Sequence, residues 1–172
     1  MKISIIGYSG SGKSTLAEKI GKIYNYPVLH LDKINFKAGW QEREKEEVIF
    51  MAEEFMKNKS WVIDGNYLWI LQEKRFEEAD KIIFMNFSRI VSFIQAYNRY
   101  LKNRNQVRKD VAEGCIEKFD FEFIKWILFE GRTLKHKENY SEICRKYKEK
   151  VVICNNRRDV KKLLSKLGRN NV

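Results

Sequence analysis

A single proline, Pro27, and no low-complexity tract or internal repeat break up the 172 residues. Nothing therefore reads as a linker, and one compact domain over residues 1–172 with a sizeable core is expected. Cysteine is equally sparse. Cys115, Cys144 and Cys154 are an odd set without a Cys-x-x-Cys pair, which argues against a disulfide framework or a zinc site and for reduced thiols in the cytoplasm. No stretch approaches the roughly 18 apolar residues of a membrane span, so no membrane partner is expected, and the first strand begins too early to leave room for a signal peptide. Carboxylates are outnumbered, with 23 Asp plus Glu against 34 Lys plus Arg and a formal charge of +11. That excess suits nucleic acid, an anionic surface or a phosphorylated small ligand; spread along the chain without a basic tail, it equally describes a solvated lysine-rich surface. No helix-turn-helix, zinc-finger or RNA-recognition signature accompanies it, and no guanine-reading Asn/Thr-Lys-x-Asp motif is present. What the chain does have is apolar and aromatic content, at 44% and 13%, the composition of a folded protein.

It also has one dense motif. Gly7-Tyr8-Ser9-Gly10-Ser11-Gly12-Lys13-Ser14-Thr15 fits the phosphate-binding pattern of Gly, four residues, then Gly-Lys-Ser/Thr. Lys2 to Ile6 before it reads as a short buried strand, and Ser14 to Tyr24 after it as a helix. Glycines let such a loop adopt positive φ and wrap an anion. Its amide N–H groups and the following helix N-terminus then favour a phosphate. Gly7, Ser9, Gly10, Ser11, Gly12, Lys13, Ser14 and Thr15 are the expected nucleotide-binding residues, with Lys13 on the β- and γ-phosphates and the Ser14 hydroxyl on Mg²⁺.

Strands and helices alternate along the remaining chain. Val28 to Leu31 is a second apolar strand ending at Asp32; Trp61-Val62-Ile63 a third, ending in Asp64-Gly65-Asn66-Tyr67; Lys81 to Phe87 a fourth; Val151 to Cys154 a fifth. This alternation predicts an α/β doubly wound parallel sheet, in which ligands bind beyond the carboxyl ends of the strands. Asp32 and Asp64 are thus aimed at the same crevice as the loop, and Asp64 is a second candidate for the metal side. His30, one residue inside a strand end, reads as a satisfied, partly buried histidine. Asn66 and Tyr67 are candidate ligand contacts. Ile34 to Trp40 reads as a loop over the site, Glu42 to Asn58 as an amphipathic helix, and Leu68 to Ala79, Ser88 to Lys102, Asn139 to Lys148 and Asp159 to Leu167 as helices, with Asp120 capping another that carries Trp126. Residues about 33–60 form a candidate acceptor side and residues about 88–135 a candidate lid. That lid holds Arg89, Arg99, Arg104, Arg108 and Arg132, of which Arg104, Arg108 and Arg132 are the candidates for neutralising a transferred phosphoryl group.

The motifs in combination resemble a known family. Ile5-Ile6-Gly7-Tyr8-Ser9-Gly10-Ser11-Gly12-Lys13-Ser14-Thr15, His30-Leu31-Asp32, Trp61 to Tyr67, Asp110 to Cys115 and Phe121 to Ile127 are similar to the adenylate kinase-like, phosphate-loop proteins known as DNA topology modulation (FlaR-type) proteins. The resemblance runs over nearly the full length. It implies a three-layer sandwich around a five-stranded parallel sheet of order 2-3-1-4-5, with a lid between strands four and five. Where adenylate kinases have Asp-Gly-Phe-Pro-Arg, this chain has Asp64-Gly65-Asn66-Tyr67, without the acceptor-nucleotide arginine. Where shikimate kinases pair two aspartates after strand two, it has Asp32 followed by Lys33 and Ile34.

Two functions are compatible with these residues. The first is a kinase that uses ATP and Mg²⁺ to phosphorylate a nucleotide, nucleoside or other small hydroxyl compound, with Lys13, Asp32, Asp64 and the lid arginines as catalytic groups. Either aspartate can serve as base. The second is a nucleotide-dependent DNA-binding protein that affects DNA topology. A monomer or homodimer is expected in either case.

Overall fold

The computed structural model describes residues 1–104, 110–117 and 119–169. Five parallel strands form the central sheet: β1 (Lys2–Gly7), β2 (Val28–His30), β5 (Trp61–Asp64), β6 (Lys81–Met85) and β7 (Val151–Cys154). They lie in the order β2-β5-β1-β6-β7, the 2-3-1-4-5 order expected from the sequence. A second, two-stranded sheet pairs β3 (Phe36–Lys37) with β4 (Gln41–Glu42) antiparallel.

The strands are apolar on both faces because helices cover both faces. Side chains alternate along each strand. Ile3 and Ile5 of β1, Val62 of β5 and Ile83 and Met85 of β6 pack with Leu16, Ala17 and Ile20 of α1 (Lys13–Tyr24) and with Leu163 and Leu167 of α8 (Arg157–Arg169). On the other face, Ile6, Trp61, Ile63, Ile82 and Phe84 pack against Val48, Ala52 and Met56 of α3 (Lys45–Met56), Phe76 of α4 (Gln72–Glu78), and Tyr140 and Ile143 of α7 (Leu134–Lys146). The result is three layers. β1 sits at the switch point, its neighbours β5 and β6 lying on opposite sides, and the loop after it opens where ligands of such sheets bind.

Several boundaries differ from the sequence reading, each for an identifiable reason. Strand two ends at His30, and Leu31 already begins the short helix α2 (Leu31–Asn35). The expected loop from Ile34 to Trp40 is largely structured, with the β3–β4 hairpin turning through Gly39 (φ 72°) and Trp40 (φ 65°). Helix α4 starts at Gln72, since Leu71 is left-handed (φ 48°) and the carbonyls of Tyr67 and Ile70 accept hydrogen bonds from the Arg75 guanidinium. Helix α7 starts five residues before the expected Asn139, at Leu134. Between β6 and β7 lie α5 (Arg89–Lys102), capped by the Ser88 hydroxyl on the Val91 N–H, and α6 (Phe121–Leu128), capped by Asp120 as expected. The stretch preceding α6 is not isolated from the hairpin: Val111, Ala112 and Cys115 form a small core with Phe36 and Trp40.

Helix α1 leaves through a left-handed Asn25 and approaches β2 so closely that a Cβ on Gly21 would lie 2.4 Å from Val28 Cγ2 and 3.1 Å from the Tyr26 carbonyl oxygen. Val28 is stiff at χ1, so neither neighbour can yield cheaply. Gly21→Ala is expected to destabilise the protein by about 1–3 kcal/mol, seen as a lower urea midpoint at unchanged slope; an unchanged midpoint would mean that α1 and β2 have room to separate.

Candidate active site

The site is assembled at the carboxyl ends of β1, β2 and β5. Gly7 and Gly10 must be glycine for reasons of space as well as φ (143° and 77°): a Cβ on Gly7 would meet the Met85 carbonyl oxygen at 2.4 Å, and one on Gly10 the Ser92 carbonyl oxygen at 2.4 Å. The loop is thus wedged against β6 and α5 by its own backbone. The Ser11 N–H closes it on the Tyr8 carbonyl (3.1 Å), and Gly12 opens α1 without any side-chain cap or acidic residue in the first turn. The helix N-terminus therefore presents unpaired donors to the loop interior, the condition for binding an anion. Among the described residues, Ser11 Oγ is buried without a hydrogen-bond partner.

The Lys13 ammonium folds back on the Gly7 and Tyr8 carbonyls at 2.9 and 3.2 Å. Burial lowers its pKa, the Asp64 and Asp32 carboxylates oppose the shift, and Arg99 adds to it. Asp64, the last residue of β5 and 4% exposed, accepts from the Ser14 hydroxyl at 3.0 Å through Oδ2 and from His30 Nδ1 through Oδ1. His30, 6% exposed, also donates from Nε2 to Glu18 Oε1 at 3.0 Å. Burial alone would depress the histidine, but hydrogen bonding to Asp64, that carboxylate's charge and the bond to Glu18 outweigh it and raise the pKa to about 9. Asp32, in the first turn of α2, accepts from the Tyr67 hydroxyl at 2.8 Å; burial and then the charge of Asp32 raise the Tyr67 pKa, so it remains a phenol.

Asn66 turns out to address the loop itself. Its Oδ1 accepts from the Gly7 N–H (3.0 Å) and its Nδ2 donates to the Gly7 carbonyl (2.7 Å). This two-point clamp across 59 residues holds the first glycine of the loop to the end of β5. Beneath it Arg75, 0% exposed, donates to the Tyr67 and Ile70 carbonyls (both 2.8 Å) and keeps the irregular stretch after Asp64 in place.

The arginines divide. Arg132 lies at the loop: its guanidinium sits 3.8 Å from the Tyr8 ring centre and donates to the Phe87 carbonyl (2.9 Å), the Ser92 hydroxyl (3.0 Å) and the Ile127 carbonyl (3.2 Å). Arg104 is exposed two residues beyond α5, and Arg108 lies outside the described residues. Arg99, passed over in the sequence reading, is the α5 arginine whose charge reaches Lys13, and it pairs with the buried Glu117 carboxylate at 2.9 Å. Trp126 is 41% exposed; it donates from its indole N–H to the Ser9 hydroxyl at 3.1 Å and meets His136 edge-on. Thr15 is exposed in the first turn of α1. Glu18 has no role in the sequence reading, and Asn66, expected there to contact a ligand, holds the loop backbone. Glu18 had a signal available, since it follows Ser14 by four residues and shares its helix face; the Asn66 clamp had none short of knowing that β5 lies beside β1.

A 360 Å³ cavity adjoins the loop between α5 and the turn after β7, lined by Val91, Ile94, Gln95, Asn155, Asn156 and Arg157. Gln95 connects it to the loop, with Oε1 3.5 Å from the position of a Cβ on Gly12 and Nε2 buried without a partner among the described residues.

No protein-family model matches the sequence, and no curated protein matches it either. Solved structures do match in fold. The shikimate kinase from Bacteroides thetaiotaomicron is 19% identical, with a TM-score of 0.55 and coverage of 99% of this chain and 97% of that one. The shikimate kinase from Acinetobacter baumannii in complex with shikimate is 13% identical, with a TM-score of 0.57 and coverage of 99% and 94%. The deoxyadenosine kinase from M. mycoides with bound dATP is 16% identical, with a TM-score of 0.54 and coverage of 99% and 98%. The fold is that of the adenylate kinase-like phosphate-loop kinases. Among the described residues no helix is long and apolar enough to cross a membrane.

The sign of the histidine shift yields a test. A pKa raised from 6.5 to about 9 on folding means that the pairing stabilises fully below pH 6.5 and is lost as pH rises through about 9. The stability difference between the wild type and His30→Gln should therefore be flat below pH 6.5 and shrink between pH 6.5 and about 9 in urea titrations. A difference that widens with pH would show that the ring is neutral.

Proposed function

We propose that this chain is an ATP-dependent small-molecule kinase that transfers the γ-phosphoryl group to a hydroxyl of a nucleotide, nucleoside or other small acceptor. The observation that carries the reading is the juxtaposition of the glycine loop and Lys13 with two carboxylates, Asp64 at the end of β5 and Asp32 in the helix turn that follows the adjacent β2. The loop amides and Lys13 hold the donor phosphates, and the cavity beside Gln95 takes the donor base. The two neighbouring kinds of kinase, for shikimate and for deoxyadenosine, bear names of hydroxyl compounds, which supports an acceptor of that chemistry.

The donor set fits magnesium. Ser14 and Asp64 offer hard oxygens 3.0 Å apart, and among the described residues no group of three or more His, Cys, Asp or Glu side chains gathers as a metal cage. Mg²⁺ is commonly held by one or two protein oxygens together with substrate phosphates and waters. Bound there, it would supply charge neutralisation at the phosphates. With Asp64 engaged by Ser14 and His30, Asp32 is the carboxylate that faces the acceptor. It orients the hydroxyl and accepts its proton as the hydroxyl oxygen bonds the γ-phosphorus and the bond from that phosphorus to the bridging oxygen breaks, leaving ADP. Lys13 and Arg99, with Arg132, Arg104 and Arg108 as further candidates, balance the charge that gathers on the transferred group. Contacts of the 110–117 segment with the β3–β4 hairpin, including Trp40 Nε1–H on the Ile116 carbonyl (3.0 Å), support reading these as lid and acceptor side meeting over the site and excluding water.

An acceptor panel followed by ADP formation tests the reading: one nucleotide, nucleoside or small hydroxyl acid should stimulate turnover, and no stimulation by any would overturn it. Lys13→Ala should abolish ATP binding. Asp32→Asn should leave Mg²⁺–ATP binding nearly intact and lower turnover by about 100-fold or more; an equal loss of Mg²⁺–ATP affinity would move Asp32 to the metal side.

A second reading draws on α8, where Arg157, Arg158, Lys161, Lys162 and Lys166 are all exposed. Such a face favours a polyanion, in keeping with the FlaR-type resemblance and its implied role on DNA. Duplex DNA affinity that falls steeply with salt supports this reading; absence of binding at low salt removes it.

A further inference from the structure

His30 has carboxylate oxygens on both ring nitrogens, Asp64 Oδ1 at Nδ1 and Glu18 Oε1 at Nε2. The ring is buried and held from both sides, so it has no freedom to turn and neither nitrogen is left without a partner. The consequence falls on Asp64. One of its oxygens is pinned by His30 and the other meets the Ser14 hydroxyl at 3.0 Å, so the carboxylate cannot rotate away from that hydroxyl. In register, His30 of β2 stands directly beside Asp64 of β5, which places the ring without a loop in between.

Glu18 closes the ring. It follows Ser14 by four residues on α1, so the two share one helix face. The same helix thus supplies the hydroxyl that Asp64 meets and the carboxylate that fixes the histidine behind Asp64. The circuit runs Ser14, Asp64, His30, Glu18 and back into α1. Glu18 is itself half in solvent, its side chain 49% exposed, and it hydrogen-bonds the far side of the ring from Asp64. On the reading that Ser14 and Asp64 serve Mg²⁺, we propose that His30 and Glu18 are positioning residues for the magnesium site: they act through Asp64, setting how well it presents its oxygen, and make no contact with metal or phosphate themselves.

Partners that orient a metal ligand commonly contribute 10- to 100-fold in metal affinity. The alternative is a clip that merely staples α1 to β2, and stability alone would report it. The test uses the full chain and a fluorescent ATP analogue titrated with MgCl₂, and separately in EDTA. Glu18→Ala keeps a good helix former at an exposed position, so it should fold. It is expected to raise the Mg²⁺ concentration for half-maximal binding by about 10-fold or more and to leave binding in EDTA unchanged. Glu18→Gln, whose amide oxygen can still accept from Nε2–H, should restore most of the difference. In the wild type, NMR should show a His30 Nε2–H proton protected by Glu18 and lost to exchange in Glu18→Ala. A Glu18→Ala protein with a wild-type Mg²⁺ midpoint, changed only in melting temperature, would overturn the proposal and leave the clip. A wild type that binds the analogue identically with and without Mg²⁺ would overturn the magnesium-kinase reading itself, and this proposal with it.

Discussion

Asp64 places a carboxylate at the end of a central strand where almost no water reaches it, and the arrangement around the site follows from satisfying that charge. Burying a carboxylate is costly unless donors surround it. Here they come from two directions in sequence: the Ser14 hydroxyl on α1 and His30 at the end of β2. Meeting that requirement fixes three things together, namely the register of β2 on β5, the seating of the first turn of α1, and the ionised state of a histidine.

The loop depends on a second, neutral device. Its shape is set locally by glycine, yet its position is set by Asn66, which holds both backbone groups of Gly7 from across the sheet. Asn66 in turn belongs to an irregular stretch whose carbonyls are held by Arg75. The pKa of that arginine is lowered by burial, with Asp64 opposing, but only to about 10, so the charge persists at neutral pH. A buried cation supporting the backbone is an unusual way to delay a helix. It explains why α4 starts late and why Asn66 and Tyr67 point toward the strand ends.

On the opposite side of the loop, two of the attachments of the segment between β6 and β7 reach the site. Arg132 and Trp126 fasten it to Tyr8 and Ser9 of the loop, and Val111, Ala112 and Cys115 fasten it to the hairpin through Phe36 and Trp40. Arginine serves two purposes here. Arg132 is engaged by a ring face, two backbone carbonyls and a hydroxyl, whereas Arg99 leans on Glu117 and sends its charge toward Lys13. Their sequence neighbourhoods look alike, both being basic positions in helical segments, and only packing distinguishes them.

Some of this was determined by the sequence alone. The glycine loop, the helix it opens and the five apolar strands were legible because each rests on backbone chemistry among neighbours: spacing, positive φ and alternation. The strand order came from resemblance, and the structure agrees with it. The His30–Asp64–Ser14 contacts, the Asn66 clamp and the choice of Arg99 over other arginines were not legible, because they join residues 18 to 59 positions apart and exist only once the strands are laid side by side in register. His30 shows the division most plainly. The sequence identified it as a satisfied histidine near a strand end, and the tertiary structure decided what satisfies it, since a side chain acquires its charge state from whichever groups the sheet brings within hydrogen-bonding reach.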